Sequence, residues 1–425
     1  MGSYGWLNVQ SLLGMGVIIA LCWGLSENRR QFPWRLVLGG IAAQVALVLV
    51  FFAFPQSKYL LEGINGAVDA LNAATLTGTQ FIFGYLAGGP QPYVVDNQGA
   101  LFVFAFQVLP LILVISALSA LLWHWKVLKW IIRGFGFVFE KTMGLGGASA
   151  LAVACNLFLG MIESPIVIRG YLDKLTRSEL FLLMTVGLAT VAGSTMVAYA
   201  LILRDSLPNA AGHVLAASII SAPAGIVLSR IMVPQQKGEA LAAIDYSTTL
   251  TYDGSIDAIS KGTQDGLMVV LNISAILIVF VALVALLNGF LGLLPDVAGA
   301  PLTLERMLSV VFAPLAWLMG IDWHEAQTAG YVLGTKLTVT EFMAFITLGH
   351  MPAEALSERS RMILTYAICG FANIGSVGIT VTGLGILIPE RRDEVMGLVW
   401  KALFAGFLAT CLSASIVGAM PSGLF

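Results

Sequence analysis

Eight apolar runs, each close to the twenty residues that a helix needs to cross hydrocarbon, constrain this chain more than anything else in it. They cover about 7–25, 35–54, 101–123, 178–203, 213–233, 266–294, 361–388 and 397–420. A soluble domain has no use for so much continuous apolar helix. Only 11% of the 425 residues are charged, against about 25% in an ordinary soluble domain. The fold class that follows is an all-α polytopic membrane protein. A net charge of −2 offers no field for a nucleic acid.

Two further apolar segments, about 144–173 and 325–350, are interrupted by Gly, Pro or polar residues. Threading works if each enters and leaves on the same side, as a re-entrant hairpin does where its irregular backbone is shielded from lipid. The first run ends in Arg29, Arg30 and Arg35, which puts that end in the cytoplasm and the N-terminus outside. Over the whole chain, sixteen Lys and Arg then fall inside and five outside, with Lys336 within the second hairpin. The start lacks a basic region of the kind that opens a cleaved leader. Residues 123–133 mix Trp, Lys and Arg with aliphatics, as an interfacial helix does, and 59–76 and 302–319 are shorter amphipathic candidates. The polar stretch 234–264 reads as a cytoplasmic loop, and 84–99 as an external one. Cys22, Cys155, Cys369 and Cys411 read as free core thiols, and His124, His213, His324 and His350 as interfacial.

Each hairpin carries a glutamate, Glu163 or Glu341. A carboxylate at membrane depth costs several kcal/mol unless it meets a partner or a wet cavity. Each is followed by a similar phrase, Gly187-Leu-Ala-Thr190-Val-Ala-Gly-Ser194 in one case and Gly370-Phe-Ala-Asn373-Ile-Gly-Ser376 in the other. The threading gives the two units opposite orientations. Inverted repeats with broken helices that meet at the midplane are a mark of secondary transporters. The freed backbone groups and the nearby polar side chains can hold a hydrophilic solute there. Pro165, which lacks an N–H, favours the first break. A plainer alternative has Glu341 merely neutralised by Lys336, or both carboxyls protonated. Asn373 can donate and accept at once, as a sugar diol requires, and Phe371 offers an aromatic face. Asn156 and Thr190 supply hard oxygens suited to Na+, or else simply bond between helices.

With these phrases the chain resembles the concentrative nucleoside transporters over nearly its whole length. The anchoring text is Asn156-Leu-Phe-Leu-Gly160, Glu163-Ser-Pro165, the Gly187–Thr195 stretch, Lys336-Leu, Glu341-Phe and Cys369-Gly-Phe-Ala-Asn373-Ile-Gly-Ser376. The resemblance implies a homotrimer in which scaffold domains hold the assembly and transport domains move like elevators. It implies segments at 1–100 (N-terminal helices), 101–143 (scaffold and interfacial helix), 144–212 (first repeat), 213–324 (scaffold helices and loop), 325–390 (second repeat) and 391–425 (C-terminal helix). Glu341, Asn373 and Ser376 are expected to hold the ribose, Glu163 to contribute from the first hairpin, and Phe371 and Thr195 to line the base. Asn156 and Thr190 are expected to bind Na+ by side chain, with the backbone of Leu159 and Val191. Met161 and Ile162 stand where many members carry Gln followed by Thr or Ser, the pair that addresses the base. Thr340 stands where the family often has Asn.

The expected function is Na+-coupled nucleoside import across a bacterial inner membrane, with no bond chemistry and no organic cofactor. Coupling to protons, or a modified or base-variant substrate, is the alternative within transport. An intramembrane enzyme and a channel are the rivals outside it.

Overall fold

The computed structural model describes residues 5–94, 103–161, 163–236, 251–297, 299–421 and 424. Apart from an isolated bridge between Val297 and Ala300, the regular structure among them is helical. Helices α1 (Trp6–Gly24) and α2 (Trp34–Phe52) are the first two spans. Helix α3 (Pro55–Phe83) opens with Pro at its first turn, where a missing N–H costs nothing, and outruns the amphipathic segment expected at 59–76. A short turn, α4 (Phe104–Gln107), leads into α5 (Pro110–His124), and the two make the third span. Lys126 takes a left-handed φ of 65° and turns the chain into α6 (Val127–Met143). That helix buries Leu128, Ile132, Phe139 and Met143 and turns Trp130, Phe137 and Val138 outward. The interfacial helix expected at 123–133 is therefore longer and starts after the turn.

The first glutamate segment is α7 (Gly147–Asn156), a break, and α8 (Glu163–Val167). Helix α9 (Arg177–Ala189) starts on a capping box: Thr176 Oγ1 accepts from Glu179 N at 3.2 Å, and Thr176 N donates to Glu179 Oε2 at 3.0 Å. The chain is then extended at Thr190 and resumes as α10 (Gly193–Ile202). Helix α11 (Ala210–Met232) is buried almost throughout. Helix α12 (Ser255–Leu291) has 37 residues, a length of about 55 Å. It takes in the last part of the expected 234–264 loop; 237–250 lie outside the described residues. Helices α13 (Leu304–Leu318) and α14 (Trp323–Thr338) meet at 117°. Then come α15 (Glu341–His350), α16 (Glu358–Ile368), α17 (Ile374–Leu387) and α18 (Arg392–Ala419). Among the described residues, seven helical segments are long and apolar enough to span. The eighth expected span, 361–388, is instead the pair α16 and α17, parted at 369–373.

Two packing arrangements stand out. Helices α1, α2, α9, α16 and α18 surround α11, and Ser221 Oγ on α11 donates to Ser413 Oγ on α18 at 3.2 Å. Helix α12 packs mainly along α5 and buries only Ala258, Gly262 and Gly266. A Cβ at Gly262 would lie 2.8 Å from Ser116 O and 2.9 Å from Ala117 Cα. Small residues let these two backbones approach. The four cysteines are buried and free, as expected. His213 is not interfacial. It is buried and stacked on Phe52 with ring centroids 4.9 Å apart, and its Nδ1 lies 3.3 Å from Tyr366 Oη.

Candidate functional site

The two helix breaks meet. Phe371 N, in the break before α17, donates to Thr190 O, in the break before α10, at 3.3 Å. A side chain at Gly370 would press on Ala189 O, 2.8 Å from the Cβ position, so the approach requires glycine. The break between α7 and α8 joins in, because Gly193 N donates to Phe158 O at 3.1 Å. The Gly-rich phrases that recur in the sequence are thus the places where backbone meets backbone. Beside them stand the first residues of α8, α10, α15 and α17. Free N–H groups at helix starts favour negative charge and hydrogen-bond acceptors.

Glu341 is the first residue of α15, which Thr340 caps by accepting from Met343 N at 3.2 Å. Its carboxylate is buried and held from two sides. Tyr199 Oη donates to Oε1 at 2.9 Å, and Asn373 Nδ2 donates to Oε2 at 2.7 Å. Asn373 in turn caps α17, with Oδ1 accepting from Ser376 N at 2.8 Å. An ionised carboxylate has about four acceptor sites, so two donors leave capacity for a ligand. Lys336 is engaged elsewhere: its ammonium donates to Ala367 O at 2.7 Å and Thr410 Oγ1 at 2.6 Å, and lies 5.1 Å over the Phe407 ring. It ties α14 to α16 and α18, and the direct partners of Glu341 are Tyr199 and Asn373.

A cleft lies beside these helix starts, with about 860 Å³ of empty space once the open solvent at its mouth is included. Met161, Glu163 and Thr195 line it from the segment 144–212. Glu341, Phe371, Asn373 and Ser376 line it from the segment 325–390. Ile162 lies outside the described residues. Thr195 Oγ1 donates to Ala192 O at 3.0 Å, and Met161 Sδ lies 4.0 Å from Thr380 Oγ1. Helix α12 closes one wall with Val269, Asn272 and Ile273. A second cleft shares Glu163, Ser194, Val269 and Asn272 with the first and continues to Asp265 and Tyr252.

The residues expected at a cation site gather behind this cleft. Asn156 ends α7 with its side chain buried, and neither Oδ1 nor Nδ2 has a hydrogen-bond partner among the described residues. An orphaned buried amide is rare and asks for an occupant. Thr190 Oγ1 lies 3.5 Å from Asn156 O and donates to Val186 O at 2.8 Å. Val191 shares two contacts with Ser218 on α11, at 3.3 Å through its N–H and 3.4 Å through its carbonyl. Leu159 lies in the break after α7, its N–H given to Cys155 O at 2.8 Å. Among the described residues no cluster of three or more His, Cys, Asp and Glu could hold a metal.

Sequence reasoning overlooked Tyr199, Ser218 and the α12 wall. Tyr199 looks like any aromatic of an apolar helix. Only the fold turns its hydroxyl onto Glu341. Asn272 carried the one legible signal, an amide within a long apolar run.

Family models described as Na+ dependent nucleoside transporter N-terminus and C-terminus match residues 13–86 and 213–418. One described as nucleoside recognition matches 105–206. The chain is 38% identical to the uncharacterized transporter YutK of Bacillus subtilis, covering 96% of this chain and 98% of that protein. It is 34% identical to the nucleoside permease NupC of Helicobacter pylori over 96% of each. A structure of CNTnw in an inward-facing substrate-bound state superposes with a TM-score of 0.86 at 35% identity, covering 97% of this chain and 98% of that one. A doubly substituted variant of CNTnw in an outward-facing state gives 0.89 at 34% identity over 99% of both chains. With the similarity running from end to end, the chain belongs to the concentrative nucleoside transporter family, whose members are transporters and not enzymes.

Proposed function

We propose that this chain is a secondary active symporter that imports nucleosides with Na+. The observation that carries the proposal is Glu341, held by Tyr199 and Asn373 at the wall of an apolar cleft with Glu163 on its other repeat. Remaining lone pairs on Glu341, with Asn373 and Ser376, bind the ribose hydroxyls. Glu163 adds an acceptor from the first hairpin, and Phe371, Thr195 and Met161 flank the base. Na+ sits at Asn156 and Thr190, aided by the backbone of Leu159 and Val191, where the orphaned Asn156 amide supports it.

In this proposal α7–α8 and α14–α15 are opposed re-entrant hairpins, and the protein moves as an elevator. The pairing of α12 with α5 supports a static scaffold. Helix α11, expected with the scaffold in 213–324, packs on α9, α16 and α18 as well as on α1 and α2, and in this proposal it travels with the hairpins. Exposed apolar side chains along α12, such as Leu267, Leu271 and Ile278, suit lipid or neighbouring copies in a homotrimer. The charge asymmetry of the sequence supports an inner-membrane protein with its N-terminus outside. Coupling follows if the loaded and empty carriers cross and the half-loaded one does not.

The test is uptake of labelled uridine, adenosine and inosine into proteoliposomes, with Na+ and H+ gradients imposed separately. Accumulation above equilibrium on a Na+ gradient alone is expected. Accumulation on a pH gradient in Na+-free buffer would overturn the choice of ion. Equilibration without accumulation would overturn symport.

A further inference from the structure

The base end of the cleft poses a problem of recognition. Met161 offers a thioether where a hydrogen-bonding group would be useful, and the surrounding surface is largely hydrocarbon. Several other polar groups at the cleft are committed, and Ser376 is assigned above to the ribose. Asn373 uses Nδ2 on Glu341 and Oδ1 on Ser376 N, Thr195 donates to Ala192 O, and Thr340 accepts from Met343 N. Asn272 is different. Its side chain lines both clefts, and among the described residues no hydrogen bond occupies its amide.

Its position is set by α12. Asp265, Val269, Asn272 and Ile276 follow one another at four, three and four residues, which is one helical face, and all four line the two clefts. The helix is fixed to α5 by close backbone contact at Gly262 and Gly266. Asn272 is therefore a donor–acceptor pair presented from a rigid wall, on a different helix from Met161 and from the sugar-binding groups.

A carboxamide carries one acceptor and two donors side by side, and a half-turn about its last torsion reverses their order. It can match the N6/N7 edge of adenine, as Asn does in the major groove. By the same chemistry it can match the N3–H/O4 edge of uracil. We propose that Asn272 reads the edge of the nucleobase, and that the chain takes purine and pyrimidine nucleosides alike, provided the base has a donor beside an acceptor. This inference rests on the nucleoside assignment above and goes further by naming the selecting group and the substrate class.

Three labelled substrates in proteoliposomes test it: uridine, adenosine and benzimidazole riboside, whose base lacks any such edge. In the wild type the first two have KM values about tenfold below that of the third, the worth of one or two hydrogen bonds. Asn272→Ala raises KM for uridine and adenosine to the level of benzimidazole riboside, whose own KM stays put. Asn272→Ser, which keeps one hydroxyl, falls between. Met161→Gln in the Asn272→Ala background recovers part of the loss by supplying an amide from the break between α7 and α8. Unchanged uridine and adenosine KM values in Asn272→Ala, or an equal rise for all three substrates, would overturn the assignment. A wild type that carries none of the three would instead overturn the nucleoside reading itself.

Discussion

Removing one oxygen atom from Tyr199 tests whether Glu341 works because it is held. Tyr199→Phe keeps the ring, which stacks on Phe345 with centroids 4.3 Å apart and meets Phe342 edge-on at 5.0 Å. It deletes the 2.9 Å hydrogen bond to Glu341 Oε1, together with a side-chain contact to Thr195. A hydrogen bond to a charged group contributes about 1.5–3 kcal/mol, and the site is buried, so water replaces it poorly. Asn373 still anchors Oε2 at 2.7 Å, so the carboxylate swings about one point rather than leaving. Part of the lost energy is recovered when substrate hydroxyls realign Glu341. A net loss of about 1.4 kcal/mol is expected, a tenfold rise in KM for ribonucleosides. The maximal rate should change little, because the packing of the ring on Phe345 and Phe342 is kept. The decisive readout is the substrate series. If Tyr199 acts by aiming Glu341 at the sugar, the 2′- or 3′-deoxynucleoside that lacks the bonded hydroxyl should lose far less than tenfold. Equal losses for ribo- and deoxynucleosides, or no loss for either, would refute the reasoning.

Glu341→Gln should abolish nucleoside accumulation while the purified protein keeps its wild-type elution on size-exclusion chromatography, since an amide cannot accept from Tyr199 and Asn373 and still serve a diol as an acceptor. Asn156→Ala should raise the Na+ concentration for half-maximal uptake with little change in thermal stability, because the amide it removes has no partner among the described residues. Gly262→Leu should lower the melting temperature in detergent, with a cost of about 1–3 kcal/mol, because its Cβ would press on Ser116 and Ala117 of α5. At the membrane surface, Arg177 at 2.9 Å holds the Glu27 carboxyl below its ordinary range, with a smaller contribution from Lys401, while partial burial opposes them. Because that value is lowered, the stabilisation is present at neutral pH and lost as pH falls past the ordinary 4.5. The small gap in melting temperature between wild type and Glu27→Gln should therefore close on acidification and shrink in high salt.

The spans were legible because hydrocarbon thickness sets one length for all of them. Runs such as 7–25 and 35–54 became α1 and α2 within a residue or two. Breaks were legible as composition but not as geometry. The phrase Cys369-Gly-Phe-Ala-Asn373 read as a Gly-rich part of one span, yet it parts α16 from α17. Polarity misled at the start of α12, where Ser255 to Gln264 is helix although its composition resembles a loop. His213 misled in the other direction, because the Phe52 face and the Tyr366 hydroxyl that enclose it come from distant segments.

For the site, sequence alone determined which polar groups stand out against hydrocarbon and that they come as two copies of one unit. Glu163 and Glu341, Thr190 and Asn373, Ser194 and Ser376 were conspicuous because an unpaired polar group at membrane depth is expensive wherever it points. Only the tertiary structure decided what each of them faces. It drew Lys336 away to Ala367 and Thr410, set Tyr199 and Asn373 on Glu341, left the Asn156 amide without a partner among the described residues, and turned Asn272 into the cleft. Desolvation is a property of one residue and can be read along a chain. Hydrogen bonds such as that of Tyr199 to Glu341 join residues far apart in sequence, and their partners are fixed only when helices pack.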